Sequence, residues 1–419
     1  MFKFLHTADI HLDSPLRGLE SYEDAPVEQI RQATRRAFDN LIELAIDEKV
    51  SFLLIAGDLY DGDWKDYNTG LFFIKCMARL RREGIRVFLV SGNHDAASQI
   101  TKTLQLPDNV VQFPTRKPAT EIIEDLNVAV HGQGYKNRVV SDNLVLEFPP
   151  GKGSFFNIGL LHTSLNGREG HEPYAPCSVD DLSSKGYDYW ALGHVHLCET
   201  VSNDPWIIFP GNIQGRHIKE TGTKSATLVS VEDGRVVDVQ KRDVGVLFWA
   251  VCEVDISDCE NIDDVTRQVR ESLDQEQQKA GSKTVAVRLR LTGASPIHAS
   301  LTAEANSLTE VFRGIAAGLG DMWLEKVIFN TQRAVDIKLM LGEETPVADL
   351  LKAVAALDLN AESISKLIPE ISGLKSKLPV EFLKHDDSYL SENANSLVEL
   401  NNDVKELLIS KLLIHRSNE

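Results

Sequence analysis

The sequence predicts an α/β fold for roughly the first half of the chain, followed by a small α+β domain and a helical C-terminal region. In the first half, short apolar runs alternate with amphipathic helical stretches, which is typical of β-α-β units whose strands are buried between helices. Polar residues directly follow each apolar run. This is the position of ligand-binding residues in open α/β sheets, beyond the carboxyl ends of the strands.

The strands of the first half are predicted from five apolar runs. These are residues 2–6, 52–56, 87–90, 158–161 and 189–192. Apolar residues that recur every three or four positions predict helices over about residues 26–48 and 68–83. From Trp206 to Arg242 the pattern changes to alternating strands, and Asp233-Gly234 predicts the turn of a β-hairpin.

A second domain is predicted to begin near Val244. Residues 247–255 and 284–291 read as strands, 263–278 and 303–317 as helices, and 326–329 as a further strand. We therefore expect three regions: an α/β domain over 1–243, an α+β domain over 244–342 and a helical region over 343–419.

The C-terminal region is predicted to form helices over residues 347–357, 361–372 and about 397–414. The last of these carries an apolar stripe that includes Leu400, Val404 and Leu408. A stripe at this spacing packs against its own protein or docks a partner, and the sequence leaves both alternatives open.

Composition excludes several classes of protein. The formal net charge is −18, so the chain lacks the basic excess of a protein that binds nucleic acid by bulk charge. Any contact with nucleic acid must be local, assisted by metal ions, or shared with a partner. No apolar run approaches the ~20 residues of a membrane helix, and the start lacks a signal-peptide core. The five cysteines form no C-x-x-C pair, and we expect reduced thiols in a cytoplasmic protein.

Seven polar residues that follow the predicted strands are candidate metal ligands. They are Asp9, His11, Asp58, Asn93, His162, His194 and His196. We expect all seven on loops of one sheet. Carboxylate, imidazole and amide oxygen suit Mn²⁺, Fe²⁺ or Zn²⁺. Seven ligands exceed what one catalytic ion with an open position needs, but they suffice for two ions that share a carboxylate. Two such ions clamp the attacking and leaving oxygens of a phosphoryl displacement.

Each of these pieces also has a purely structural explanation. Gly57-Asp58 fits an ordinary turn at the end of a strand, and a lone His162 is more often a hydrogen-bonded histidine near the core. His194 and His196 are better placed, because two histidines one residue apart after a strand can chelate a metal. The order and spacing of all the pieces together indicate a metal centre.

These segments resemble the five signature motifs of the calcineurin-like metallophosphoesterases. More narrowly, 6–12, 57–61 and 191–196 resemble the SbcD-type DNA repair exonucleases, including their YhaO-like branch, and Phe209-Pro210-Gly211-Asn212 is similar to the segment that follows the last motif. The resemblance implies a sandwich of mixed sheets flanked by helices. It also implies that 244–342 is a capping domain and that 343–419 binds an ATPase.

The resemblance also implies roles for individual residues. One ion is assigned to Asp9, His11, Asp58 and His196, and the other to Asp58, Asn93, His162 and His194. Mn²⁺ is the favoured metal, with Fe, Zn or Mg as alternatives. His94 is the candidate to stabilise or protonate the leaving oxygen, and Asp61 to orient His94. Asp95 is the alternative partner or a carboxylate that caps a turn. Asp13, where many relatives have Gly, adds a negative charge near the cleft.

The expected function is a two-metal DNA phosphodiesterase, an exonuclease subunit working with an SMC-like coiled-coil ATPase. A homodimer is compatible with the resemblance. Basic residues near the motifs are candidate phosphate contacts: Arg216, His217 and Arg168. A metallophosphatase or phosphodiesterase for small molecules, cyclic nucleotides or phosphoproteins is the alternative, although Asp61 lacks the Arg-Gly that follows it in protein Ser/Thr phosphatases. A non-catalytic scaffold is the second alternative.

Overall fold

The computed structural model describes residues 1–14, 27–61, 67–97, 105–165, 174–334 and 346–355. Residues 1–293 together with 300–330 form one compact unit. The second unit contains residues 294–299 and, among those described, 331–334 and 346–355.

The first sheet has six strands in the order β12-β11-β1-β2-β3-β4. The strands are β1 (Phe2–Thr7), β2 (Phe52–Ala56), β3 (Arg86–Val90), β4 (Val110–Gln112), β11 (Ser225–Glu232) and β12 (Arg235–Asp243). The four strands β1 to β4 run parallel, with Phe4 opposite Phe52 and Phe52 opposite Arg86. The hairpin β11–β12 joins them antiparallel to β1. The sheet is therefore mixed.

The second sheet also has six strands, in the order β5-β6-β7-β8-β10-β9. The strands are β5 (Ala119–Ile123), β6 (Val128–Gln133), β7 (Phe156–His162), β8 (Tyr189–Gly193), β9 (Glu199–Asn203) and β10 (Trp206–Phe209). Its inner strands β6, β7, β8 and β10 run parallel, and β5 and β9 close the two edges as antiparallel strands.

The two sheets pack face to face over an aromatic core that includes Phe4, Phe52, Phe88, Val130 and Tyr189. Alternate residues of the same strands point to the other face of the first sheet. There they pack against α1 (Val27–Asp47) and α2 (Tyr67–Arg82). The burial of both faces explains why these strands are continuously apolar.

A third sheet follows in the order β13-β14-β15, with β13 (Leu247–Asp255) parallel to β14 (Thr284–Ser295) and β15 (Met322–Arg333) next to it. The remaining helices are α3 (Asn93–Ala97), α4 (Val179–Ser183), α5 (Ile262–Ala280), α6 (His298–Ala303), α7 (Ala305–Gly318) and α8 (Pro346–Ala355). Leu247, Trp249, Ala286 and Trp323 of this sheet form a cluster with Ile30 and Ala33 of α1. The third sheet therefore packs against the helix layer of the first.

The predicted α/β sandwich of mixed sheets flanked by helices is confirmed, with a small third sheet after it. The observed elements differ from the predicted ones by a few residues: β14 continues past 291 to Ser295, whereas α1 is slightly shorter than predicted. The helix predicted over 303–317 is α7, and α6 precedes it. The helices predicted over 361–372 and 397–414 lie outside the described residues. Within the described ranges, no helix is both long and apolar enough to cross a membrane.

Candidate metal centre

The candidate ligands lie just beyond the carboxyl ends of five parallel strands. Asp9 and His11 follow β1, Asp58 follows β2, and Asn93 starts the helix after β3. His162 is the last residue of β7, and His194 and His196 follow β8. The expectation that all seven lie on one sheet is wrong, because four come from the first sheet and three from the second. The packing of the two sheets brings them together.

One group of ligand atoms surrounds Asp9. His11 Nε2 lies 3.4 Å from His196 Nε2, and His196 Nε2 lies 3.7 Å from Asp9 Oδ1. These atoms fall within 4.8 Å of one another. Two imidazole nitrogens that face each other at this distance, beside a carboxylate, match the donor set of a divalent transition metal.

A second group surrounds His162. Its Nε2 lies 2.9 Å from Asn93 Oδ1 and 3.6 Å from Asp58 Oδ2. The His194 ring is edge-on to the His162 ring, with centroids 5.2 Å apart. Asp58 Oδ2 is also 3.9 Å from His11 Nε2 of the first group. Asp58 therefore lies between the two groups, where a shared ligand is needed.

The charges of the site fit two cations. Asp9 and Asp58 are both buried. Burial, and next the charge of Asp58, raises the pKa of Asp9 well above its usual range, and burial also raises the pKa of Asp58. Among the described residues Asp9 Oδ1 has no hydrogen-bond partner. Two buried carboxylates in contact are costly unless paired, and divalent ions would neutralise both.

Burial favours the neutral, metal-binding form of His11 and His162. Burial lowers the pKa of His162 to about 3, and burial lowers that of His11 well below its usual value. The Nδ1–H of His162 donates to the Ala56 carbonyl at 2.9 Å, which leaves the lone pair on Nε2 toward Asn93 and Asp58. Hydrogen bonds of this kind fix the tautomer of metal-binding histidines.

The backbone at the site is strained. Asp9, His11, Asp58 and His194 all have positive φ, at 50°, 47°, 53° and 106°. Such conformations cost about 1–3 kcal/mol each for residues other than glycine and gather at functional sites. Gly92 precedes Asn93 because a Cβ there would come within 2.2 Å of Asp58 Oδ1. The backbone conformations of these turns place the candidate ligand side chains close together.

His94 and Asp61 form a pair at the edge of the centre. His94 Nδ1 is 2.6 Å from Asp61 Oδ1. Burial disfavours charge on His94, but the hydrogen bond that His94 donates to Asp61 and the charges of Asp58 and Asp61 outweigh it and raise the pKa of His94. His94 also lies within 4.8 Å of His11 and Asp58, so it is close enough to act on a group bound there.

The predicted substrate contacts divide into three cases. Arg216 lies between two carboxylates, with Nη1 3.6 Å from Asp61 Oδ2 and Nη2 3.5 Å from Glu220 Oε1. His217 is largely exposed, 3.8 Å from the same Glu220 oxygen. Arg168 lies outside the described residues. Arg216 therefore faces the site but already has carboxylate neighbours.

Asp13 does not add an unpaired charge to the cleft. Its carboxylate accepts hydrogen bonds from Arg35 Nε at 2.7 Å and from Thr69 Oγ1 at 2.5 Å. Asp95 caps the loops of the site. It accepts from the backbone N–H groups of Leu59, Tyr60 and Gly92 at 2.8 to 3.2 Å, which is the turn-capping alternative that the sequence left open for it.

Sequence reasoning missed Glu220 and Tyr135. The Glu220 side chain is 8% exposed, and its Oε1 accepts from His196 Nδ1 at 2.7 Å, so it orients a candidate ligand. Tyr135 donates its hydroxyl to the His162 carbonyl at 2.7 Å. Glu220 lies 24 residues beyond His196 in a polar loop. Only the contacts that Glu220 makes in the folded structure distinguish it from the solvent-exposed glutamates of the chain.

Comparison with known proteins agrees with this geometry. Residues 2–198 match the calcineurin-like phosphoesterase family, and residues 249–332 match the middle domain of metallophosphoesterase YhaO. The chain is 36% identical over 297 residues to "Uncharacterized metallophosphoesterase YhaO" of Bacillus subtilis, which covers 70% of this chain and 72% of that protein. It is also similar to two archaeal proteins named "DNA double-strand break repair protein Mre11". One, from Methanopyrus kandleri, is 26% identical over 46% of this chain and 44% of its own length. The other, from Sulfurisphaera tokodaii, is 25% identical over 66% of this chain and 71% of its own length.

We expect Asp58→Asn to disturb both ions, because Asp58 lies between the two groups of ligands. Mn²⁺ at about one hundred times its dissociation constant should stabilise the wild type by about 2.7 kcal/mol, and most of this gain should disappear in the variant. Thermal unfolding with and without Mn²⁺ measures it. Asp13→Asn in the same cleft is the matched control and should keep the gain. An unchanged gain in Asp58→Asn would show that Asp58 is not a ligand.

We expect Glu220→Gln to lower the affinity for one of the two ions by about tenfold, since groups that orient metal-binding histidines contribute about 10–100-fold to metal affinity. The ion concerned is the one assigned to His196. Calorimetric titration with Mn²⁺ measures both affinities. Glu325→Gln is the control, because Glu325 is also buried but pairs with Arg288 in the third sheet. Equal loss in both variants would contradict a specific role for Glu220.

Proposed function

The chain belongs to the calcineurin-like metallophosphoesterase family, and on that premise we propose that it is a two-metal-ion phosphodiesterase acting on DNA, an exonuclease subunit in DNA repair. The observation that carries the proposal is the convergence of seven candidate metal ligands at the junction of the two sheets, with the His94–Asp61 pair at the edge of this site. Mn²⁺ is the ion that we propose for the centre.

The residues for the two ions follow from the two groups of atoms. Asp9, His11 and His196 would hold one ion, and Asn93, His162 and His194 the other, with Asp58 shared. Bound divalent ions polarise phosphoryl oxygens and lower the pKa of water. Burial in the chain lowers the pKa values of His11, His162 and His196, the contacts of His162 and His196 orient their rings, and Asp9 and Asp58 supply two buried carboxyl groups that cations would pair.

His94 is the residue that we propose as general acid. Its Nδ1 is engaged by Asp61 at 2.6 Å, which leaves Nε2 to deliver a proton to the leaving 3′-oxygen. Against the effect of burial, the hydrogen bond to Asp61 and the charges of Asp58 and Asp61 raise the pKa of His94, which favours the protonated imidazole that a general acid requires. Asp61 then acts by orientation and charge, because its own pKa is lowered to about 2: burial opposes this, but hydrogen bonds from His94 and Ser14 prevail.

DNA is favoured as the substrate by the two relatives named as DNA double-strand break repair proteins. The net charge of −18 argues against a chain that binds DNA alone by bulk electrostatics. The local net charge at the metal centre differs from that of the whole chain. Two divalent ions would bring four positive charges there, against the two negative charges of Asp9 and Asp58. We propose that a partner supplies the remaining affinity for DNA.

That partner, in our proposal, is an SMC-like coiled-coil ATPase that binds the C-terminal region. The support is the amphipathic pattern around Leu400, Val404 and Leu408, which presents an apolar stripe of the kind that packs into a groove.

We expect His94→Ala to lose about 10²–10⁴-fold in DNA cleavage, the range that general acid–base groups supply, while it still binds two Mn²⁺ ions. The assay is digestion of end-labelled single- and double-stranded DNA with Mn²⁺ and with chelator, and calorimetry counts the ions. Loss of an ion in His94→Ala would make His94 a ligand instead.

Wild-type hydrolysis of chromogenic phosphomonoesters, with DNA left uncleaved, would favour a phosphatase. Two bound ions without hydrolysis of any ester would indicate a scaffold.

We expect deletion of residues 356–419 to abolish binding to a purified SMC-like ATPase from the same organism, because the deletion removes the leucine stripe. The deletion leaves α8 in place. Size-exclusion chromatography of the mixture measures binding, and Mn²⁺-dependent stabilisation shows that the metal centre is intact. Complex formation by the truncated chain would move the docking surface elsewhere.

A further inference from the structure

Glu220 lies on a loop that begins at Gly215 and ends at Gly222, and one residue of the third sheet closes that loop at both ends. The Trp249 indole Nε1–H donates to the Gly215 carbonyl at 2.9 Å. The Trp249 backbone carbonyl accepts from Gly222 N at 3.0 Å. Trp249 is 2% exposed, so both bonds are shielded from water, where they are harder to replace.

Gln214 makes a second connection between the same loop and the third sheet. Its side-chain oxygen accepts from the backbone N–H groups of Val246 and Leu247 at 2.9 and 3.1 Å, and its amide nitrogen donates to the Leu247 carbonyl at 2.8 Å. The same nitrogen donates to Gly215 O at 3.0 Å. The buried Gln214 amide thus accepts two hydrogen bonds and donates two. These bonds anchor the start of the loop at the beginning of β13.

The space around Gly215 shows how closely these parts fit. A Cβ at this position would come within 2.5 Å of the Glu220 carbonyl oxygen and 2.9 Å of Trp249 Cδ1. The backbone at Gly215 is therefore wedged between the residue that orients His196 and the residue that closes the loop. We therefore expect a shift of Trp249 to disturb Gly215 and, through Gly215, Glu220.

Inside the loop, polar contacts lead from this connection to the metal centre. Glu220 Oε2 accepts from Arg216 N at 2.7 Å and from Asn212 Nδ2 at 3.1 Å. Its other oxygen accepts from His196 Nδ1 at 2.7 Å. Asn212 is fixed in turn, since its Nδ2 also donates to the Gln214 carbonyl at 2.9 Å. Glu220 is thus held on two sides by the loop that Trp249 and Gln214 anchor.

We propose that Trp249 is a positioning residue for the metal ligand His196, acting through Gly215 and Glu220. The third sheet, in which Trp249 begins the segment that matches the YhaO middle domain, therefore completes the metal centre as well as covering the α/β domain. The proposal rests on the two-metal site of the proposed function but not on DNA as the substrate.

The test is Trp249→Phe in the full chain, titrated with Mn²⁺ alone by calorimetry. The variant removes the indole N–H while keeping an aromatic ring. We expect roughly tenfold weaker binding of one ion and unchanged binding of the other. Trp323→Phe is the matched control, because Trp323 packs edge-on against Trp249, with centroids 6.2 Å apart, and loses the same volume. It should change either affinity by less than about twofold.

A double variant shows whether Trp249 acts through Glu220. If it does, Trp249→Phe combined with Glu220→Gln should bind Mn²⁺ no more weakly than Glu220→Gln alone, because coupled residues are not additive. Additive losses, equal weakening of both ions, or equal effects in the two tryptophan variants would overturn the proposal. If Trp249→Phe fails to fold, Gln214→Leu breaks the second connection between the loop and the third sheet and must reproduce the selective loss.

Discussion

Two carboxyl groups, those of Asp9 and Asp58, are buried beside each other at the junction of two sheets. The arrangement of the site depends on the electrostatic repulsion between their charged forms. Each belongs to a turn with positive φ after a buried strand, so the backbone is strained where the charges meet. Neither strain nor buried charge is stabilising by itself. Binding of divalent cations would offset the cost of both the backbone strain and the buried charge, since the strained turns place the candidate ligands around a common point.

His11 and His162 complete this arrangement because burial favours their neutral form. A protonated imidazole would neutralise the carboxylates without any metal. Burial prevents this by lowering the pKa of His11 and His162. Buried hydrogen bonds such as the one from His162 to the Ala56 carbonyl then turn the lone pairs toward the carboxylates. Burial therefore disfavours proton uptake by these two rings, and divalent cations would neutralise the carboxylates while leaving the rings free to bind metal.

The sequence predicts the buried strands and the candidate ligands because both depend on local patterns, whereas the sandwich of mixed sheets was expected only from the family resemblance. Apolar runs such as 52–56 mark strands buried on both faces, and the polar residue after each run marks its carboxyl end. The assignment of all ligands to one sheet was wrong, because His162 and Asp58 are brought together by the packing of two sheets that no periodicity records. Glu220 was missed for a related reason. Its role comes from contacts with His196 and Asn212, and nothing in the local sequence distinguishes it from a solvated glutamate.

The path from Trp249 to His196 bears on why the α/β domain and the third sheet share one chain. The ligands of the ion assigned to Asp9, His11 and His196 come from the first half of the sequence, yet the carboxylate that orients His196 lies on a loop closed by β13. Positional errors of about 1 Å are enough to impair a catalytic site, and a loop anchored at both ends by Trp249 resists such errors better than one anchored at neither. By anchoring this loop, the third sheet would help to hold one candidate metal ligand in place, although it contributes no ligand of its own to the proposed site.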